Sequence, residues 1–321
     1  AVTANNHCCD GGARGIGATL AALDDAGLRH TGTFVDSLRH GADHPLRLAA
    51  NGIRFALFNY TYGTNGLPVP TGTTVNRIDT TVIARDLAAV DRGAVDCVIA
   101  FVHWGNEYER RPDSEQRMLA GFLRRHGADL VVGSHPHVVQ PFEQDSTGAV
   151  FYSLGNFVSN QRRRYCDGGL LAEVEVVKRI AAGVPTMHYA AQAVPVWVAL
   201  PDYRILPPEV ADTLAMPPHA RAAYDRFMQD NGKFALNKTG LLAYSHGEYF
   251  ELGEKLGKFG YSVAKKQAAK TESVTKSAKP SGAGKKAASA ENRTASKTEA
   301  GNRRKSASKT GSADKQKSRR K

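Results

Sequence analysis

The sequence predicts a layered α/β domain followed by a basic, low-complexity tail. Three observations carry this. Short apolar runs alternate with stretches of helical periodicity over the first two hundred residues, the rhythm of strands and helices stacked in layers. Histidine-bearing polar clusters follow directly on three of the extended segments. After Tyr261 the composition shifts to Lys, Ser, Ala, Thr and Gly, with no further Phe, Tyr or Trp.

The elements follow in order. Residues 1–4, Ala-Val-Thr-Ala, read as the end of a buried strand, so the first strand of the sheet is expected upstream of Ala1. Residues 15–26 have helical spacing, with Ile16, Leu20 and Leu23 on one face and Gly27 as the stop. Residues 53–60 and 96–103 read as strands. Residues 113–126 form an amphipathic helix, with Met118, Leu119, Phe122 and Leu123 expected inward and Gly127 closing it. Residues 129–132 and 149–154 are short apolar strands. Residues 170–177 alternate apolar with acidic side chains, like a half-exposed strand, and 194–200 are expected to be the last strand. From Pro201 to Gly260 the pattern weakens into helices and loops broken by Pro207, Pro208, Pro217 and Pro218. The expected organisation is therefore a domain over 1–200, a helical and loop extension over 201–260, and a disordered basic tail over 261–321.

Charge supports this division. The 321 residues carry a net +12. The tail holds 18 Lys and Arg against 4 Asp and Glu, which leaves the first 260 residues at −2. The tail lacks the apolar surface to offset chain entropy. Such a tail suits a polyanion: an acidic polymer such as polyglutamate, nucleic acid or a membrane surface. The apolar runs fall well short of the roughly 20 residues of a spanning helix. The chain does not open with Met or a basic-then-apolar segment, so no signal or anchor is read in it. Cys8, Cys9, Cys97 and Cys166 contain no C-x-x-C pair, which argues against a zinc ribbon.

The chemistry is expected beyond the strand ends, where open α/β sheets bind ligands. The 96–103 strand runs into His103-Trp104-Gly105. The 129–132 strand runs into Ser134-His135-Pro136-His137. The opening residues run into Asn5-Asn6-His7. Imidazole is the commonest metal ligand near neutral pH. Three imidazoles with the Asn6 amide oxygen suit zinc, manganese or iron better than calcium. Gly11-Gly12-Ala13-Arg14-Gly15-Ile16-Gly17, with Tyr261 and Lys265, imitates a dinucleotide-binding dehydrogenase. That fingerprint needs a strand immediately before the glycines, and polar residues 5–10 stand there instead.

Several segments together resemble the CapA-type poly-gamma-glutamate capsule synthesis proteins. They are Ala4-Asn5-Asn6-His7 with Asp10, His103-Trp104-Gly105-Asn106-Glu107-Tyr108, Gly133-Ser134-His135-Pro136-His137, and Tyr152-Ser153-Leu154-Gly155-Asn156-Phe157. That family looks like a branch of the calcineurin-like metallophosphoesterases. The resemblance implies a two-sheet sandwich flanked by helices. It implies Asn6, His103, His135 and His137 as metal ligands and His7 as the acid for the leaving group. Asp10, Trp104, Glu107 and Asn156 are implied as substrate-binding or supporting residues. It further implies two divalent transition metals (Mn, Fe or Zn) that activate water and clamp a phosphoryl group. The superfamily's N-terminal Asp motif and bridging acid would lie upstream of Ala1. Two functions follow as expectations. One is a metal-dependent hydrolase of an anionic or phosphorylated substrate in the cell envelope. The other is a non-catalytic protein that binds or assembles capsule polymer through a degenerate metal site. The family's setting points to the envelope, with the cytoplasm as the alternative.

Overall fold

The computed structural model describes residues 1–231. The expectations for 232–260 and for the basic tail lie outside the described residues. The chain opens with α1 (Gly12–Asp25), β1 (Thr33–Phe34), α2 (Ser37–Asp43), β2 (Leu46–Ala50) and β3 (Ile53–Thr61). Next come β4 (Thr74–Val75), α3 (Thr80–Ala88), β5 (Cys97–His103), α4 (Ser114–Arg125) and β6 (Leu130–Ser134). The hairpin β7 (Phe142–Asp145) and β8 (Gly148–Phe151) leads to the long hairpin β9 (Gly168–Ala181) and β10 (Val184–Ala199). β11 (Arg204–Leu206), α5 (Pro208–Ala211) and α6 (Pro218–Asn231) complete the described chain.

Six strands form one sheet in the order β2-β3-β5-β6-β8-β7. Its four central strands are parallel and its edges antiparallel. One face packs Phe58, Val98 and Val131 against Ile83 and Leu87 of α3 and Ala120 and Leu123 of α4. The other packs Ile53, Cys97, Leu130 and Phe151 against Leu170, Tyr189 and Ala193 of the β9–β10 hairpin. The chain therefore forms the expected pair of sheets with helices on the outside. Strands buried on both faces read as continuous apolar runs, which made β5 and β6 legible.

Local chemistry sets the helix ends. The Asp113 side chain accepts from Gln116 N, and the Gln116 side chain accepts from Asp113 N, a capping box that starts α4. The inward stripe of α4 differs from the expectation. Leu123 is buried and Leu119 and Phe122 are partly buried, as expected, but Met118 is 69% exposed, and Gln116 and Ala120 are buried as well. Gln116 turns inward because its amide donates to Gln140 Oε1 at 2.9 Å. The last-strand expectation is also corrected. The 194–200 segment is the end of a 16-residue strand, and β11 follows it. The two-residue turn at Ala182 (φ 49°) and Gly183 (φ 79°) closes the β9–β10 hairpin. Around the turn Ile180 and Val184 are largely exposed, so no apolar alternation marks the outer half. Residues 1–4 lie beside residue 31 through Thr3 N to Thr31 O at 2.9 Å and a Val2–Thr31 bridge. Ala4 N donates to Asn59 Oδ1 of β3 at 2.7 Å, which fixes where the Asn6-His7 loop begins.

Away from the histidines, Asp96 joins the two sheets. It stands just before β5 and accepts from Arg54 N at 2.8 Å, Arg54 Nη2 at 2.9 Å and Lys178 Nζ at 2.8 Å. Arg54 belongs to the large sheet and Lys178 to β9. The Arg54 guanidinium, with Lys178 in support, holds the Asp96 carboxyl well below the usual carboxylate range. A depressed carboxyl stabilises the fold above its unfolded value of about 4 and loses that contribution as the pH falls further. Asp96→Asn is expected to lower the thermal midpoint at pH 7. The gap between variant and wild type should shrink below about pH 4 in melts followed by circular dichroism.

Candidate functional site

The parallel strands end in a row, and the site loops leave from it. In the ladder Thr61 stands opposite His103, and His103 opposite Ser134. Gly133, one residue before this edge, permits the close packing behind it. A Cβ there would lie 2.0 Å from Tyr152 O and 2.3 Å from Trp104 Nε1. Of the eight non-glycine residues with left-handed φ among the described residues, five lie in loops beyond the strand ends: Asn65, Tyr108, His135, His137 and Tyr165. Such backbone is costly for residues with a Cβ and clusters where a site demands it.

These loops bring most of the expected residues together. The His103 and His135 ring centroids are 4.8 Å apart, and those of His135 and His137 are 6.2 Å apart. His103 Nε2 meets Asn6 Oδ1 at 2.8 Å, and its Nδ1 meets Ser134 Oγ at 2.9 Å. His137 Nδ1 meets Asn156 Oδ1 at 3.0 Å. Asn156 Nδ2 donates to Cys166 O at 2.8 Å, so its oxygen faces His137 and the His137 proton sits on Nδ1. Glu107 Oε1 lies 3.8 Å from His137 Nε2. His7 stands at the exposed rim with Nδ1 2.8 Å from Asp10 Oδ2. Trp104 is placed differently. It is buried beneath the loops, donating from Nε1 to Tyr152 O at 2.8 Å, and packs under the site.

Two neighbours, Tyr62 and Asn65, escaped the sequence reading, and Ser134 was read only as part of its motif. Tyr62 packs its ring 4.7 Å from His135. Asn65 accepts from Asn6 Nδ2 at 3.1 Å and reaches within 3.4 Å of His7. Ser134 holds His103. Tyr62 follows β3 directly and Asn65 lies four residues past its end, so the strand-end argument used for His103 and His135 points to this loop as well.

Burial favours the neutral form of His103 and His135. Burial first, then the neighbouring His135, His137 and His7, push His103 down to about 3. Burial also lowers His135, against an opposing pull from Glu107. Burial raises the Tyr62 hydroxyl. His135 Nδ1 is buried with no hydrogen-bond partner. An orphaned imidazole nitrogen beside two more imidazoles and an amide oxygen is donor chemistry that suits a transition metal. Among the described residues, however, no three His, Cys, Asp or Glu side chains are grouped to hold an ion. The carboxylates paired with these imidazoles are Asp10, which faces His7, and Glu107, which faces His137.

A family model described as bacterial capsule synthesis protein PGA_cap matches residues 1–161. The chain belongs to this capsule synthesis family. The matched stretch contains every site residue expected from the sequence. Capsule biosynthesis protein CapA of Bacillus anthracis is 33% identical over 166 residues, covering 49% of this chain and 39% of that protein. PGA biosynthesis protein CapA of Bacillus subtilis (strain 168) is 34% identical over 161 residues, covering 50% of this chain and 42% of that protein. The chain thus spans about two fifths of the length of the curated relatives it matches. Among solved structures, a 5'-nucleotidase from Candida albicans SC5314 superposes at a TM-score of 0.30. It is 14% identical, covering 59% of this chain and 32% of that one.

Asn156 is the hinge of this arrangement, since one amide fixes His137 on one side and Cys166 on the other. Asn156→Ala should cost about 1–3 kcal/mol by leaving these partners unsatisfied. Imidazole nitrogen NMR should show His137 losing its single tautomer while His103, held by Ser134, keeps its own.

Proposed function

We propose that this capsule synthesis family member is a metal-dependent hydrolase. Its substrate would be an anionic, phosphorylated or polymeric molecule of the cell envelope. The observation that carries the reading is the buried, unpartnered Nδ1 of His135, set between the Tyr62 and His103 rings. The residues that would hold a Mn, Fe or Zn ion are His103, His135, His137 and Asn6. The resemblance to the metallophosphoesterases makes a pair of ions the expected form of such a site. The metal would supply Lewis-acid activation of water and of a phosphoryl or acyl oxygen.

The chain's own groups prepare this chemistry. Asn156 keeps the His137 proton on Nδ1 and leaves the Nε2 lone pair free. The Asn6 amide donates to Asn65, so its oxygen faces His103, whose proton therefore sits on Nε2. With the other tautomer, in which the proton sits on Nδ1, Ser134 Oγ would accept a hydrogen bond from Nδ1 and the Nε2 lone pair would be free to bind a metal. At the exposed rim, Asp10 holds His7 Nδ1 while Nε2 lies 3.4 Å from Asn65 Nδ2, and His7 would serve as the acid for a leaving group. Tyr62 and Trp104 shield the cluster from beside and beneath. Among the described residues no helix is long and apolar enough to cross a membrane. Association with the envelope is therefore read from the family alone.

One observation favours a second reading, a polymer-binding protein with a degenerate site. His103 Nε2 is bonded directly to Asn6 rather than grouped with two other ligands. Elemental analysis after incubation in Mn, Fe or Zn separates the two. The hydrolase reading expects at least about one bound metal per chain, lost in the His135→Ala/His137→Ala double variant and kept in His126→Ala. Equal, negligible metal in all three proteins would contradict it and leave the binding reading.

A further inference from the structure

Beside the histidines runs Arg162-Arg163-Arg164, and the structure assigns the three guanidiniums different work. Arg162 spends its nitrogens on Val198 O at 3.1 Å and Ser159 O at 3.2 Å. Arg164 makes a two-point contact with the Asp230 carboxylate at 3.0 and 3.1 Å, and its charge is matched. Arg163 has no carboxylate partner among the described residues. It lies with Cζ 4.1 Å from the centre of the Tyr108 ring. Tyr108 in turn stacks on His137, with centroids 6.0 Å apart and planes 25° apart. The guanidinium is thus no farther from His137 than these two steps together.

The same asparagine that orients His137 also anchors the loop that carries Arg163. Asn156 Nδ2 reaches Gln161 Oε1 at 3.3 Å on one side of the arginines and Cys166 O at 2.8 Å on the other. Tyr165, at φ 77°, and the turn from Arg163 O to Cys166 N at 3.0 Å shape the loop's return. A cation on an aromatic face, exposed and without a carboxylate partner among the described residues, beside a cluster of imidazoles, is suited to receive an oxyanion. It stands one ring beyond His137, so it reaches past the group held at the histidines.

We infer that Arg163 is the specificity-determining residue of the site, binding a second carboxylate or phosphoryl group of a substrate whose reacting group lies at the histidines. The inference rests on the proposed reading of the cluster as a substrate site and adds the substrate class: a molecule with at least two oxyanions a few bonds to one residue apart. Residue 163 lies beyond the stretch that the family model matches, so the assignment comes from the geometry.

Calorimetric titration of the full chain with triglutamate and with tripolyphosphate tests this. The proteins are wild type, Arg163→Gln, Arg163→Lys and Arg47→Gln, the last an exposed arginine on the edge strand β2. Wild type should bind one probe more tightly, which identifies carboxylate or phosphoryl as the source. Arg163→Gln should weaken that probe about tenfold, and Arg163→Lys should recover only part, because an ammonium lacks the planar fork. Arg47→Gln removes the same charge and should stay within about twofold, which separates a site from general attraction to a basic chain. Equal weakening by the two Gln variants, or no wild-type binding of either probe, would overturn the inference. Metal content measured on the same samples keeps the two proposals apart. A metal-free protein that shows the Arg163 difference sinks the hydrolase reading and supports the receptor. A metal-loaded protein without that difference does the reverse.

Discussion

The backbone ladder across β3, β5 and β6 is the constraint on which the site depends. It places Thr61, His103 and Ser134 in one row. Adjacent strands lie about 4.8 Å apart, so residues that leave consecutive strands at one level start as neighbours. The His103 and His135 rings meet 4.8 Å apart, the same spacing carried past the end of the sheet. Two further hydrogen bonds extend the row into the loops, Tyr62 N to His103 O at 2.9 Å and Trp104 N to Ser134 O at 3.0 Å. Gly133 lets β6 run close against Tyr152 and Trp104, so the His135 loop emerges at the height the ladder sets.

From that row the polar chemistry divides by depth. Buried donors are neutral: His103, His135 and the Asn6 amide. Charged groups stay at the rim, with Asp10 on His7, Glu107 beside His137 and Arg163 on Tyr108. This ordering follows from the cost of burying an unpaired charge. It leaves lone pairs inside and fixed charges outside, which suits a site that admits ions and anionic groups from solvent. Asn156 ties the two depths together, because one side chain orients His137 and holds the loop that displays Arg163.

Much of the architecture was legible because its signals are local. β5 and β6 are unbroken apolar runs, and α4 carries its cap in Asp113 and Gln116. The histidines were legible because each follows a strand directly. What escaped was decided by tertiary contact. β2, β7 and β11 are short edge or near-edge strands with little apolar alternation. The outer half of the β9–β10 hairpin is solvated and shows no buried face. The buried stripe of α4 runs through Gln116, Ala120 and Leu123, which leaves Met118 on the solvent side, and Gln116 can be buried because Gln140 offers it a partner. Arg163 differs from its neighbours only through Asp230 and Val198, which are distant in sequence, so nothing local distinguishes it within the run of three arginines.

Cobalt(II) is the most direct probe of the claim that the strand ends assemble a metal-binding donor set, because its visible spectrum reports its ligands. The account predicts that titrating the full chain produces bands distinct from those of the aquo ion. These bands should saturate and should be lost in His103→Ala and His135→Ala. An aquo spectrum at every ratio, or saturating bands that both variants leave unchanged, would contradict it.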